Sequence, residues 1–258
     1  MAVVVEVQQP VLLVIAHGSR DPRHAATVHA LTRRVRAARP GLRVVTGYLD
    51  HCAPSVPQVI DRLTAEGVRE VVALPLLLTR AFHAKADIPA VLREASAAHP
   101  RLRIRVADVL GPSPLLLTAL DRRLHEAGLA PGDRSSTGIV LASAGSTDPD
   151  AIAVIDDLAR QWRHARGWHT VRPAFASAAL PRTEDAVRAL RAEGVRRIAV
   201  APYVIAPGFL PDRIERGALE SGADLLAPVL GCAPELSRLL LRRYDEARAA
   251  QRAVALSA

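Results

Sequence analysis

The sequence predicts an α/β protein of two homologous domains, each a small four-stranded parallel sheet flanked by helices. Three observations lead there. Short apolar, β-branched runs alternate with amphipathic stretches of helical spacing. The chain repeats itself at a fixed offset. Half of its residues are apolar while only 3% are aromatic, an aliphatic composition suited to buried parallel strands covered by helices.

In the first half, VLLVIA (11–16), RVVTGYL (43–49), VVALPLLL (71–78) and IRVADVL (104–110) predict strands, being too short and too β-branched for helices. The stretches 23–38, 54–66, 84–98 and 114–127 carry helical spacing. Such alternation implies right-handed parallel βαβ units, which bring the loops that follow the strands to one rim.

The repeat is the most informative feature. AHGSRDP at 16–22 matches SAGSTDP at 143–149, and AEGVRE at 65–70 matches AEGVRR at 192–197, both at an offset of 127 positions. In the same frame Pro54 falls on Pro181, Leu63 on Leu190, Pro75 on Pro202 and Phe82 on Phe209. After a short deletion, GPSP at 111–114 meets GCAP at 231–234. Domains are therefore expected over 1–128 and 137–258, joined through a stretch rich in Gly, Pro, Ser and Asp within 126–138.

The net charge of +8 comes almost wholly from arginine, Lys85 being the one lysine. It is spread over helix-like segments such as LTRRVRAARP and VRALRAEGVRR, as on solvated faces. With no basic run interleaved with aromatics, no nucleic-acid partner is expected, whereas a polyanionic small molecule suits the charge. Cys52 and Cys232 stand far apart without a CxxC partner, so neither a disulfide framework nor a zinc knuckle is indicated and a cytoplasmic location is expected. The N-terminus carries an acid instead of a basic n-region, and no apolar run nears the roughly 18 residues of a membrane helix; neither a signal peptide nor a membrane association is expected. No phosphate-binding glycine motif follows a strand, so no ATP or other nucleotide is expected.

In parallel α/β sheets, ligands bind outside the carboxyl ends of the strands. His17 follows the first predicted strand, Asp50 the second and His83 the third. Two imidazoles and a carboxylate on one rim make a candidate catalytic and divalent-metal site, imidazole suiting Fe, Co, Ni or Zn better than Mg or Ca. The repeat supplies an internal control. In the second half the three positions hold Ala144, Ser177 and Leu210, although Gly18/Gly145, Ser19/Ser146, Asp21/Asp148 and Phe82/Phe209 persist. Residues needed for folding should survive in both copies; three lost together from a copy that keeps its turns argue for chemistry performed once per chain, against surface residues free to drift.

Gly18 and Gly145 predict a positive φ or a close backbone approach, and Asp21-Pro22 and Asp148-Pro149 predict helix starts. Ser19 and Arg20 are candidate substrate-binding residues: the hydroxyl either caps the helix or meets a ligand, and Arg20, replaced by Thr147, suits a carboxylate. Arg80 and Lys85 flank His83, give way to Pro207 and Asp212, and are further candidates for a carboxylate, solvated surface charge explaining them equally well. His51 adjoins Asp50, and on an extended segment only one of the pair would face the site. Cys52 reads as a small buried filler in preference to a soft ligand. His24, His29, His99, His125, His164 and His169 fall on predicted helices or their ends and read as solvated.

With these residues in hand, the chain resembles the sirohydrochlorin chelatases, the class II chelatases that insert Co(II) or Fe(II) into a tetrapyrrole. The resemblance rests on LLVIAHGSRDP, on GYLD followed by a proline-led helix, and on LPLLLTRAFHAKADIP with its late histidine. It spans the whole chain as a two-repeat form whose active residues lie in one half. The family usually carries Glu where this chain has Asp50. The resemblance implies ATP-independent insertion of Fe2+ or Co2+, with Ni2+ ranked below them, into sirohydrochlorin for siroheme or cobalamin. It further implies His17, His83 and Asp50 at the metal, the polycarboxylate macrocycle between the halves, and a monomer or weak dimer. A non-catalytic metal or tetrapyrrole carrier is the alternative. A metal-dependent hydrolase fits less well, lacking further carboxylates.

Overall fold

The computed structural model describes residues 9–80 and 86–256, with side chains through residue 250. Phe82, His83 and Lys85 lie outside the described residues. The first repeat runs β1 (Val11–Ala16), α1 (Pro22–Ala38), β2 (Val44–Tyr48), α2 (Val56–Ala65), β3 (Glu70–Pro75), α3 (Ile88–Ala98), β4 (Arg103–Val106) and α4 (Pro114–Glu126). A 3-10 turn at Pro131–Ser136 leads into β5 (Thr137–Ser143), α5 (Pro149–Arg166), β6 (Thr170–Phe175), α6 (Thr183–Ala192), β7 (Arg197–Tyr203), α7 (Phe209–Glu220), β8 (Leu225–Leu226) and α8 (Pro234–Leu256). Two four-stranded sheets result, in the orders β2-β1-β3-β4 and β6-β5-β7-β8, with every pairing parallel.

The helices begin where the sequence supplies caps. Asp21 accepts from the Arg23 amide at 2.9 Å and Asp148 from the Asp150 amide at 3.0 Å, each followed by proline at the first helical position. Ser55 and Gln58 form a reciprocal capping box on α2.

Strand alternation then decides what each face buries. Leu13 and Ile15 point outward from the first sheet against Ile60 and Leu63 of α2 and Leu92 of α3. Val140 and Ala142 of the second sheet likewise meet Val187 and Leu190 of α6 and Ile214 of α7. Leu12 and Val14, on the inner face of the first sheet, join Ile139 and Leu141 of the second in one continuous core.

That shared core is filled by an exchange of helices. The last helix of the first repeat, α4, packs on β7, while α8, the last of the second, packs on β3 and α1. The exchange is closely symmetric: Arg123 on α4 donates to the Leu230 carbonyl at 2.7 Å, and Arg243 on α8 donates to the equivalent Leu110 carbonyl at 3.4 Å and to its neighbour Val109 at 2.9 Å. Each arginine also pairs with a glutamate three residues on, Glu126 and Glu246. Arg122 meets Glu235, Trp162 and Arg166 both donate to Asp121, and Tyr244 donates to the Pro10 carbonyl, tying the repeats further.

β3 and β4 are shorter than their apolar runs, which were expected to extend through Leu78 and Leu110. β1, the strand beside β3, ends at Ala16, so Leu76–Leu78 run past the end of the ladder. The Leu76 amide still reaches the Ile15 carbonyl, but the Leu77 carbonyl turns to accept from Leu110. Apolarity there serves a cavity wall instead of a sheet. Among the described residues no helix is long and apolar enough to cross a membrane.

Candidate metal and macrocycle site

The two copies build their first rim loop alike. Gly18 has φ +96° and a Cβ there would lie 1.8 Å from the Asp50 carbonyl oxygen; at Gly145 the φ is +90° and the same approach, to Ser177, is 1.9 Å. Only glycine meets both demands. The Asp50 amide donates to the His17 carbonyl at 2.9 Å, as the Ser177 amide does to Ala144 at 3.0 Å. The turn is thus a property of the fold, and what it carries differs between the copies.

Above the carboxyl ends of the central strands lies a cavity of about 460 Å³. Its walls are equivalent positions of the two repeats. His17 faces the cavity from one side and Ala144 from the other; His24 is matched by Ala151, Thr79 by Ala206, and Leu76–Leu78 by Tyr203–Ile205. Leu210 and Pro211 of α7 close it further. The Tyr203 hydroxyl donates across the repeats to the Leu78 carbonyl at 3.4 Å, and burial raises its pKa, keeping it protonated. The result is an apolar cavity whose imidazoles stand on one wall.

His17 Nδ1 lies 3.3 Å from the Gly18 carbonyl oxygen. A carbonyl only accepts, so this contact favours a proton on Nδ1, the tautomer in which Nε2 is the metal-binding nitrogen. His24, read from the sequence as solvated, lines the cavity instead, and its Nδ1 is buried with no hydrogen-bond partner. Burial and the neighbouring His17 lower its pKa, against a weaker upward pull from Asp21. The signal that could have found it was present in the sequence: its partner at the repeat offset is an alanine, as for His17.

The other candidates sit differently. Asp50 is on the rim loop, its side chain 63% exposed, with Oδ1 accepting from the His51 amide at 2.7 Å and Oδ2 3.2 Å from His51 Nε2. It does not line the cavity. The expectation that Asp50 and His51 point apart is corrected: His51 adopts φ +59°, a left-handed turn and not an extended segment, as does Ala178 at φ +60°. Ser19 Oγ accepts from the Asp21 amide at 3.1 Å, as Ser146 does from Asp148 at 3.0 Å, so both hydroxyls shape the turn into the helix. Cys52 packs beneath this turn with its thiol donating to the Ser19 carbonyl at 3.2 Å. Arg20 is exposed on the His17 loop. Arg80 is paired with Asp108 at 2.7 Å and lies in a separate surface hollow. Two more histidines read as solvated have partners: His29 Nε2 lies 3.4 Å from Tyr48 Oη, and His99 Nε2 lies 2.7 Å from Asp61. Arg23, at the start of α1, bridges its cap residue Asp21 to Asp212 on α7, at 2.5 and 2.6 Å, beside a separate hollow.

Comparison with known proteins places this geometry in context. The family model described as CbiX matches residues 11–127 and again 138–247. A sirohydrochlorin cobaltochelatase of Priestia megaterium is 27% identical over 244 residues, covering 91% of this chain and 79% of that protein. A sirohydrochlorin ferrochelatase of Bacillus subtilis (strain 168) is 24% identical over 242 residues, covering 92% of each. Among solved structures, SirB from Bacillus subtilis with Fe3+ superposes with a TM-score of 0.83 at 23% identity, covering 95% of this chain and 98% of that one, a likeness of fold.

Proposed function

The chain belongs to the CbiX family, and from that premise we propose that it is a sirohydrochlorin chelatase, inserting Fe2+ or Co2+ into the macrocycle without ATP. The observation that carries this reading is the asymmetric cavity, with His17 and His24 on the first-repeat wall facing Ala144 and Ala151 on the second. The relatives named above as cobaltochelatase and ferrochelatase supply the reaction and the two metals.

In this reading the first repeat, over 1–128, carries the active residues and the second, over 137–258, forms the opposite wall. His17 holds the ion through Nε2. His83 joins it from the loop after β3, whose leading residues Leu76–Thr79 already line the cavity. Insertion displaces two pyrrole N–H protons as the ion enters the ring, and neutral imidazoles suit both tasks, holding a metal or taking a proton. Asp50, on the rim, offsets the ion's charge or passes protons outward. Apolar walls suit the faces of the macrocycle, while its carboxylates stay outward, toward the rim loops. Arg20 is the exposed cation best placed to meet one, with Ser19, Arg80 and Lys85 as further contacts. We place the protein in the cytosol, where Cys52 and Cys232 would remain the free thiols they are here, acting as a monomer because the fused repeat already supplies two walls.

The test is an anaerobic absorbance assay of sirohydrochlorin with Fe(II), Co(II) or Ni(II). Wild type should accelerate insertion well beyond the uncatalysed rate, and His17→Ala and His83→Ala should lose that acceleration while remaining folded. Binding of sirohydrochlorin with insertion no faster than in buffer would instead establish a carrier.

A further inference from the structure

Among the described residues two imidazoles line this cavity, one from the loop after β1 and one from α1. His24 projects from α1, one turn past the Asp21 cap. Its second-repeat equivalent, Ala151, also lines the cavity, so the wall loses both imidazoles together in the copy that keeps the turn. His29, farther along the same helix, is accounted for by Tyr48. His24 is not: its Nδ1 is buried without a partner. A sealed, unpaired ring nitrogen in an apolar wall carries a desolvation cost that folding alone does not repay. With Nδ1 sealed, Nε2 is the nitrogen left for a cavity ligand.

We propose that His24 is a second metal donor, which holds the incoming divalent ion on the first-repeat wall before His17 carries it to the macrocycle. Only that last transfer rests on the chelatase reading. On binding, the Nε2 lone pair replaces one water of the hydrated ion; no electron moves, and the neutral ring releases no proton. Among the described residues no group of three or more His, Cys, Asp or Glu side chains is assembled to hold a metal. Imidazole donors completed by water make a weak site, which suits an ion that must leave.

The experiment is an anaerobic titration of Co(II) into the full chain without tetrapyrrole, read by visible absorption and calorimetry, followed by insertion kinetics. His24→Ala should weaken the Co(II) dissociation constant about tenfold. It should raise the KM for Co(II) by a similar factor while changing kcat by no more than about twofold, the split expected of a residue that binds the ion before the chemical step. The variant installs the residue that the second repeat accommodates at Ala151, and His24→Gln, which keeps bulk and polarity but not the imidazole, serves if alanine impairs folding. His125→Ala removes an imidazole outside the cavity and should leave Co(II) affinity unchanged. Wild-type affinity in a folded His24 variant overturns the proposal, and so does an equal loss in His125→Ala. If wild type inserts no metal but still loses Co(II) affinity on His24→Ala, the chelatase reading falls and the donor assignment stands.

Discussion

At the scale of single residues, the rim loop separates what the fold requires from what the chemistry requires. Gly18 must bring its backbone against the Asp50 carbonyl with φ +96°. Gly18→Ala should therefore cost at least about 3 kcal/mol, combining the roughly 1–2 kcal/mol of a left-handed L-residue with a backbone clash that nothing flexible can relieve. Gly41 has a similar φ of +87° but nothing within 4 Å of its missing Cβ, so Gly41→Ala should cost only about 1 kcal/mol. Urea midpoints of the two variants decide this; equal losses would mean that the close approach is relaxed at little cost. Gly18 was legible from the sequence because the repeat keeps it, and His17 because the repeat discards it. The repeat discards His24 as well, but its place on a helix masked that signal, since periodicity says which face is buried and not that the buried face borders a cavity. The contact between Asp50 and His51 was hidden by a left-handed residue that no glycine announced.

At the scale of elements, the helices of the first repeat could be located to within a few residues from their spacing, with Asp21-Pro22 and Asp148-Pro149 marking the starts of α1 and α5, whereas strand ends were misread wherever apolar residues continued beyond the ladder. What no local pattern revealed is the destination of α4 and α8, since an apolar helix face does not name the sheet it covers. The exchange places Glu235, on the first turn of α8, 1% exposed against Arg122 of α4 at 2.6 Å. Burial pushes its carboxyl pKa up, but the Arg122 guanidinium and hydrogen bonds outweigh that and hold it below the ordinary glutamate value of 4.5. A depressed pKa in the folded state means that the unfolded chain binds the proton more readily, so this contribution is present above about pH 4.5 and is lost as pH falls through the folded value. Glu235→Gln should lower stability by about 2 kcal/mol at pH 7, less than a fully buried pair because Arg122 is 42% exposed. The deficit should shrink toward acid pH in denaturant titrations. A deficit independent of pH would assign the loss to packing.

At the scale of the whole molecule, the exchanged helices make the two repeats one folding unit even though each has its own sheet. The inner face of the first sheet is covered in part by α8 and that of the second by α4. Neither repeat can close its core from its own residues, and a single cooperative unfolding transition is expected by both calorimetry and far-UV circular dichroism. The symmetry of the exchange allows a sharper expectation. Arg123 caps the Leu230 carbonyl as Arg243 caps the loop at Val109, so α4 and α8 are matched in what they offer the opposite repeat. A chain of residues 1–130 alone would therefore present an uncovered sheet face together with an α4 able to cover that face on a second copy. Sedimentation velocity at micromolar concentration should find that fragment dimeric, with Arg123→Ala shifting it toward an unfolded monomer. A folded monomer would mean that α4 can return to its own sheet, and the exchange would then reflect the fusion of the repeats and not a requirement of the core. The dimer, if formed, would place His17 and His24 on both walls, where the intact chain has them on one. The fused chain's Ala144 and Ala151 would then read as the surrender of a second set of donors once a single set served the cavity.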